Sequence, residues 1–198
     1  MKFHQRSRGR PQKLGVLAGS FNPPTIAHQE LVYAAGSRVD EILCVVPSAF
    51  PHKDYFGATL EQRLEMLAAA EPQAACSIAT SEKGLFIDIA GECREHYGAN
   101  TRLYFVCGRD AAERILTWDY GQPGVIEQML SDFELLVAAR AGEFIPPAQF
   151  QDRVHPLSLR GAHDQVSSTE VRQRIERGEP WEHLVPGPIV ELVREIYS

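Results

Sequence analysis

No apolar stretch in these 198 residues approaches the ~20 positions a membrane-spanning helix requires, and no charged-then-apolar leader opens the chain. Neither a membrane span nor a secretory signal is expected, and the sequence reads as cytoplasmic. Cysteine is scarce: Cys44, Cys76, Cys93 and Cys107, with no C-x-x-C pair. They fall mostly in apolar, strand-like runs, which predicts reduced, buried thiols rather than a disulfide framework. Seven histidines are scattered along the chain, none spaced as a zinc pair. His-Glu-x-x-His, Gly-x-Ser-x-Gly and the P-loop are all missing. No Gly-x-Gly-x-x-Gly follows the first apolar run, which argues against a dehydrogenase using that fingerprint. No protein ligands for a metal are predicted.

What is present is ordinary globular composition, 44% hydrophobic and 23% charged, in a chain long enough for one good core. The net charge of −6 is unevenly placed. Lys2, Arg6, Arg8, Arg10 and Lys13 face no acid within residues 1–13, leaving 15 basic against 26 acidic residues, near −11, in the rest. The tail reads as a flexible, solvated extension, with nucleic-acid contact as the alternative; the acidic body argues against nucleic acid as the main partner. From residue 14 onward, strand-like and helical patterns alternate. Strands are predicted at Leu14 to Ala18, Glu41 to Val46, Cys76 to Thr80, Leu103 to Cys107 and Phe133 to Ala138, with a short run near Val154 to Leu157. Helical patterns lie between them, and a helical C-terminal part starts at about residue 166. The alternation predicts an α/β fold: a doubly wound, mainly parallel, Rossmann-like sheet with helices on both faces.

One segment concentrates the chemistry. Gly19-Ser20-Phe21-Asn22-Pro23-Pro24-Thr25-Ile26-Ala27-His28 runs from the end of a strand into the start of a helix, where α/β proteins bind phosphate. Gly19 permits close backbone approach, the two prolines stiffen the loop, and His28 sits on the first helical turn, pointing back at the loop. A Pro-rich turn with a buried histidine is the plain alternative. A second segment, Val166-Ser167-Ser168-Thr169-Glu170-Val171-Arg172, reads first as a capped helix start, because Ser167 and Glu170 have capping-box spacing. Such an N-terminus also presents N–H groups and a positive dipole end to phosphate, and Arg172 lies one turn in.

Together these segments resemble the signatures of the nucleotidylyltransferase superfamily, and in particular of nicotinate and nicotinamide mononucleotide adenylyltransferases. Gly19, Phe21, Pro23, Thr25 and His28 fill the pattern G-x-F-x-P-x-[HT]-x-x-H, and Val166, Ser167, Ser168, Thr169 and Arg172 fit I-S-[SA]-T-x-I-R. Further matches follow in order. Pro51-His52-Lys53 is similar to a bacterial phosphate-binding loop, with Arg63 on the next helix as a partner or as a surface charge. Gly108-Arg109-Asp110 is similar to Gly-x-Asp, and Trp118 lies in a Trp-containing loop, where the bland reading is core packing. The resemblance spans about residues 14–197 as one domain and implies AMP transfer from ATP to a pyridine mononucleotide, with Mg2+ accompanying ATP. It assigns His28, Thr25 and Arg172 to catalysis. Gly19, Ser20, Phe21, Lys53, Gly108, Asp110, Ser167, Ser168 and Thr169 would hold ATP and its phosphates, and Asn22, Arg63, Phe86 and Trp118 the acceptor. Asp110 would also cap its helix. Oligomeric state stays open, a homo-oligomer included. One departure stands out: where bacterial members carry Ser-Tyr-Thr before the third helix, this chain reads Gly84-Leu85-Phe86, which offers no hydroxyl. Another phosphomonoester acceptor, CTP as donor, or a nucleotide-binding module without turnover are the alternatives.

Overall fold

The computed structural model describes residues 1–48, 57–70, 76–139, 144–161 and 166–197. Seven strands form one sheet: β1 (Lys2–Gln5), β2 (Lys13–Ala18), β3 (Glu41–Pro47), β4 (Cys76–Ser81), β5 (Arg102–Gly108), β6 (Glu134–Ala138) and β7 (Val154–Leu157). Helices α1 (Ile26–Gly36), α2 (Leu60–Ala69), α3 (Phe86–Tyr97), α4 (Arg109–Thr117), α5 (Val125–Asp132), α6 (Ser168–Arg177) and α7 (Val190–Tyr197) connect and follow them. The fold is the expected Rossmann-like α/β sandwich. Strands β3 and β6 are buried at every position, as continuous apolar runs covered by helices on both faces must be. Alternation sorts their side chains into two cores. Leu43, Val45, Phe105, Leu135 and Val137 point to one face, and Ile42, Cys44, Val46, Val106 and Leu136 to the other.

The strand order is β1-β4-β3-β2-β5-β6-β7. From β2 the chain winds outward through β3 and β4, then returns to lay β5, β6 and β7 on the opposite side. The switch point thus lies between β2 and β5, which pair in parallel with Val16 beside Phe105. The loops leaving β2 and β5 diverge there to opposite faces and open the crevice in which such sheets bind ligands. A third apolar cluster, with Val171, Trp181, Leu184, Ile189 and Val193, packs the C-terminal helices against Met66 of α2 and the start of α1. That docking carries α6 to the crevice.

The basic tail departs from expectation. Instead of a flexible extension, residues 2–5 form β1, antiparallel to β4, with Lys2 opposite Thr80 and Phe3 opposite Ala79. Phe3 packs edge-on to His96 and Tyr97, and the Arg6 guanidinium covers the Phe3 ring at 4.6 Å. Aromatic and cation–π contacts of this kind offset the ordering entropy of a short segment.

Candidate active site

The loop leaving β2 is held at both ends. Gly19 N–H donates to the Val45 carbonyl at 3.0 Å. A Cβ at Gly19 would come within 3.3 Å of the Phe21 ring, so any other residue there would press on that ring. Phe21 itself is fully buried with φ +47, a left-handed conformation that costs a bulky residue on the order of 1–3 kcal/mol and persists only where surroundings over-determine it. The Asn22–Pro23 peptide is cis. Thr25, fully buried, is the N-cap of α1. Its backbone N–H donates to His28 Nδ1 at 3.0 Å, and its Oγ1 lies 2.8 Å from the same nitrogen. A nitrogen that accepts cannot carry the proton, so this arrangement places the imidazole hydrogen on Nε2. The loop thus orients His28 as an Nε2–H donor, with the Phe21 ring packed 5.1 Å from it.

Helix α6 meets this loop directly. Ser167 caps the helix, its hydroxyl oxygen accepting from Glu170 N–H at 3.1 Å. Ser168 donates its hydroxyl to the Pro23 carbonyl at 2.7 Å, and Arg172 donates Nη1 to the Asn22 carbonyl at 2.5 Å while Nη2 reaches Thr169 Oγ1 at 3.5 Å. A hydroxyl has one hydrogen. In this geometry Ser168 spends it on the loop, so donation to a phosphate from this turn would fall to backbone N–H groups, the Thr169 hydroxyl and the Arg172 fork. The N-termini of α1 and α6 converge, and their positive dipole ends add.

Asn22 and Arg63, read from the sequence as acceptor contacts, are instead buried within this scaffold. Asn22 Oδ1 accepts from Ala58 N–H at 3.3 Å and from the Tyr197 hydroxyl. Arg63, only 3% exposed, donates to the Ser20 carbonyl at 3.2 Å and to the Thr59 carbonyl at 3.3 Å. Burial raises the Tyr197 pKa, against the lowering pull of the nearby Arg172 and Arg63 charges. Tyr197 and Gly57 join the site without a signal in the local sequence. Gly57 adopts φ +101 and packs against Asn22 and the Tyr197 ring.

The opposite side of the crevice is more open. Gly108, not Asp110, is the N-cap of α4; Asp110 is its second residue, exposed in the first turn, where its charge suits the dipole without capping it. The Phe86 ring stacks on Phe105 at 4.4 Å and so turns toward the core, yet Phe86 also lines a cavity of about 460 Å³ between α3, α4 and α5. Trp118, 57% exposed, ends α4 and borders an adjoining hollow; Tyr120 lines both. Lys53 lies outside the described residues.

Comparison with known proteins fits this geometry. Residues 16–174 match the pattern of the family described as cytidylyltransferase-like. The chain belongs to that family. A Bacillus subtilis protein named nicotinate-nucleotide adenylyltransferase is 26% identical over 198 residues, covering 93% of this chain and 96% of its own. A Moorella thermoacetica protein named "probable nicotinate-nucleotide adenylyltransferase" is 28% identical over 205 residues, covering 93% and 90%. Among solved structures, the Plasmodium falciparum nicotinic acid mononucleotide adenylyltransferase complexed with NaAD aligns with a TM-score of 0.69 at 17% identity, covering 92% of this chain and 95% of that one.

For a cytidylyltransferase-like protein, the assembled groups define what chemistry is available. The loop and α6 supply N–H donors, a guanidinium and an oriented imidazole, and no activated side-chain nucleophile is among them. Among the described residues no group of three or more His, Cys, Asp or Glu side chains could hold a metal. Such a site accelerates transfer between two bound substrates through alignment and charge stabilisation.

Proposed function

We propose that this cytidylyltransferase-like protein transfers the adenylyl group of ATP to nicotinate mononucleotide, with nicotinamide mononucleotide as the weaker acceptor, in NAD biosynthesis. An oxygen of the acceptor 5′-phosphate attacks the α-phosphorus in line; the bond from that phosphorus to the bridging β-oxygen breaks, and pyrophosphate leaves. The observation that carries this reading is the Thr25–His28 pair, which holds an Nε2–H donor at the mouth of two converging helix N-termini. The names of the relatives support the acceptor, and structural neighbours solved with NaAD and with APC support the nucleotide chemistry.

In this mechanism His28 donates to a non-bridging oxygen of the α-phosphate as charge builds there. Thr25 fixes the tautomer that lets it do so. Gly19, Ser20 and Phe21 form the backbone wall of the phosphate pocket. Arg172 and the first N–H groups of α6, at Ser168 and Thr169, bind the outer phosphates. Gly108 and Asp110, across the switch point, receive the ribose. The donors of the loop and α6 are not magnesium ligands, so magnesium arriving with ATP would be held by the nucleotide rather than by these residues, and would supply charge neutralisation.

Pyrophosphate release with MgATP or MgCTP against nicotinate mononucleotide, nicotinamide mononucleotide and unrelated phosphomonoesters tests this. Turnover with ATP and a pyridine mononucleotide is expected. Silence with both pyridines would overturn the acceptor, and background release with every acceptor and either nucleotide, alongside a nucleotide-induced rise in melting temperature, would leave a nucleotide-binding module in place of an adenylyltransferase.

A further inference from the structure

The cavity between α3, α4 and α5 combines apolar walls with a single formal charge. Ala111, Arg114 and Ile115 recur at the spacing of one helical face on α4, and Val125, Gln128 and Met129 do the same on α5. Leu85 and Phe86 close the third side at the start of α3. Of the polar groups on these walls, the Tyr120 hydroxyl already donates to the Ile115 carbonyl at 3.1 Å. Neighbouring charges are also committed: Arg109 pairs with Glu113 at 2.8 Å. Arg114 is exposed at the rim, and among the described residues no carboxylate lies within ion-pair distance of it, although Asp110 stands one turn back on the same helix.

The Gly84-Leu85-Phe86 segment that closes the cavity brings no hydroxyl to it. A ring carboxylate entering so apolar a cavity would lose hydration with only the neutral Gln128 amide on the walls to compensate, a heavy cost for an anion. A guanidinium at the rim changes the balance. Its planar fork matches a carboxylate bidentately, and the bound ring itself would exclude water from the pair. A carboxamide, carrying no charge, would gain far less.

From this juxtaposition we infer that Arg114 is the specificity determinant that selects a carboxylate-bearing aromatic ring, nicotinate over nicotinamide, in this cavity. The inference rests on the adenylyltransferase reading above and adds to it the residue that discriminates between acceptors. Leu85 and Phe86 supply ring contact, and Arg114 supplies the charge.

The test compares the full-length wild type with Arg114→Gln and Arg114→Lys, measuring kcat/KM for nicotinate and nicotinamide mononucleotide at saturating MgATP. Equilibrium binding of each mononucleotide is followed in parallel by the fluorescence of Trp118, exposed beside the cavity. The wild type is expected to favour the nicotinate form. Arg114→Gln should lose about ten- to a hundredfold in kcat/KM for nicotinate mononucleotide, the scale of one charge-assisted contact, with nicotinamide mononucleotide little changed. The loss should lie in KM, and Arg114→Lys should recover part of it. Equal losses on both acceptors, no loss on either, or a wild type that prefers the amide would each overturn the assignment. Absence of turnover with both acceptors would strike the adenylyltransferase reading itself. In that case, nicotinate-selective binding that disappears in Arg114→Gln would still uphold the role of Arg114, and unselective binding would end it.

Discussion

At the scale of single residues, the site turns on which atom of His28 bears the proton. The Thr25 N–H aimed at Nδ1 decides it, so in the proposed mechanism a change at either residue acts on a donor that matters most when charge accumulates in the transition state. His28→Ala is expected to lower kcat by roughly 10²–10³-fold with a folded, nucleotide-binding protein. If kcat held and only KM rose, His28 would be a ground-state contact. The thiols make a contrasting case. Burial pushes Cys107 up to about 12, and burial with the neighbouring Glu92 charge does the same to Cys93. Because the thiolate is the reactive form and these groups remain protonated far above neutrality, both should resist alkylation in the native protein at pH 8 and react once it is unfolded. Rapid native labelling of either, read by mass spectrometry, would contradict the burial that raises them.

Elements matter through how they are joined. The loop after β2 is stabilised less by its own sequence than by partners on α6, α7 and the start of α2. Arg172 reaches it through the Asn22 carbonyl, Ser168 through that of Pro23, and Tyr197 through the Asn22 side chain. Replacing Arg172 with lysine keeps the charge and loses the fork that spans Asn22 and Thr169. A fall in kcat/KM for ATP of about ten- to a hundredfold is expected, with steady-state kinetics as the readout. Gly57→Ala should act on the same assembly from outside it. Its φ of +101 strains any side chain, and the added Cβ would meet Asn22 Oδ1 and Tyr197 Cε1 at 3.1 Å. A stability loss on the order of 1–3 kcal/mol is expected, measured by denaturant unfolding. An unchanged midpoint would show that the Asn22–Tyr197 contact yields without cost.

Across the whole molecule, the sheet has two kinds of edge. On one side β7 completes it in parallel; on the other β1 covers β4 in the antiparallel sense. Deleting residues 1–9 would strip β4 of its edge partner and Tyr97 of the Phe3 and Arg6 contacts. Loss of about 2 kcal/mol would lower the melting temperature of a chain this size by roughly 4–8 °C. Activity well below that temperature should survive, since the loop that carries the candidate site leaves β2, two strands away from β4. A melting temperature unchanged by the deletion would return these residues to the status of a loose tail.

Much of this was readable in advance because much of it is local. Period-2 and period-3.6 patterns located the strands after β1 and the helices between them, and fixed spacing over ten residues singled out the loop from Gly19 to His28 as the candidate site. Thr25 and His28 meet within one turn, so their pairing follows from helix geometry alone. The remaining features depend on contacts between distant parts of the chain. Arg63 resembles any surface arginine until packing encloses it. Asn22 resembles a ligand contact until Tyr197, 175 positions away, uses its side chain. Lys2 to Gln5 is too short to announce a strand before an exposed β4 edge is there to receive it. For Arg63 and Asn22 the deciding term is burial of a polar or charged group; for Lys2 to Gln5 it is the open hydrogen-bonding edge of β4. Sequence shows which groups need partners, and only the docking of the third apolar cluster and the order of the strands determines which partners they find.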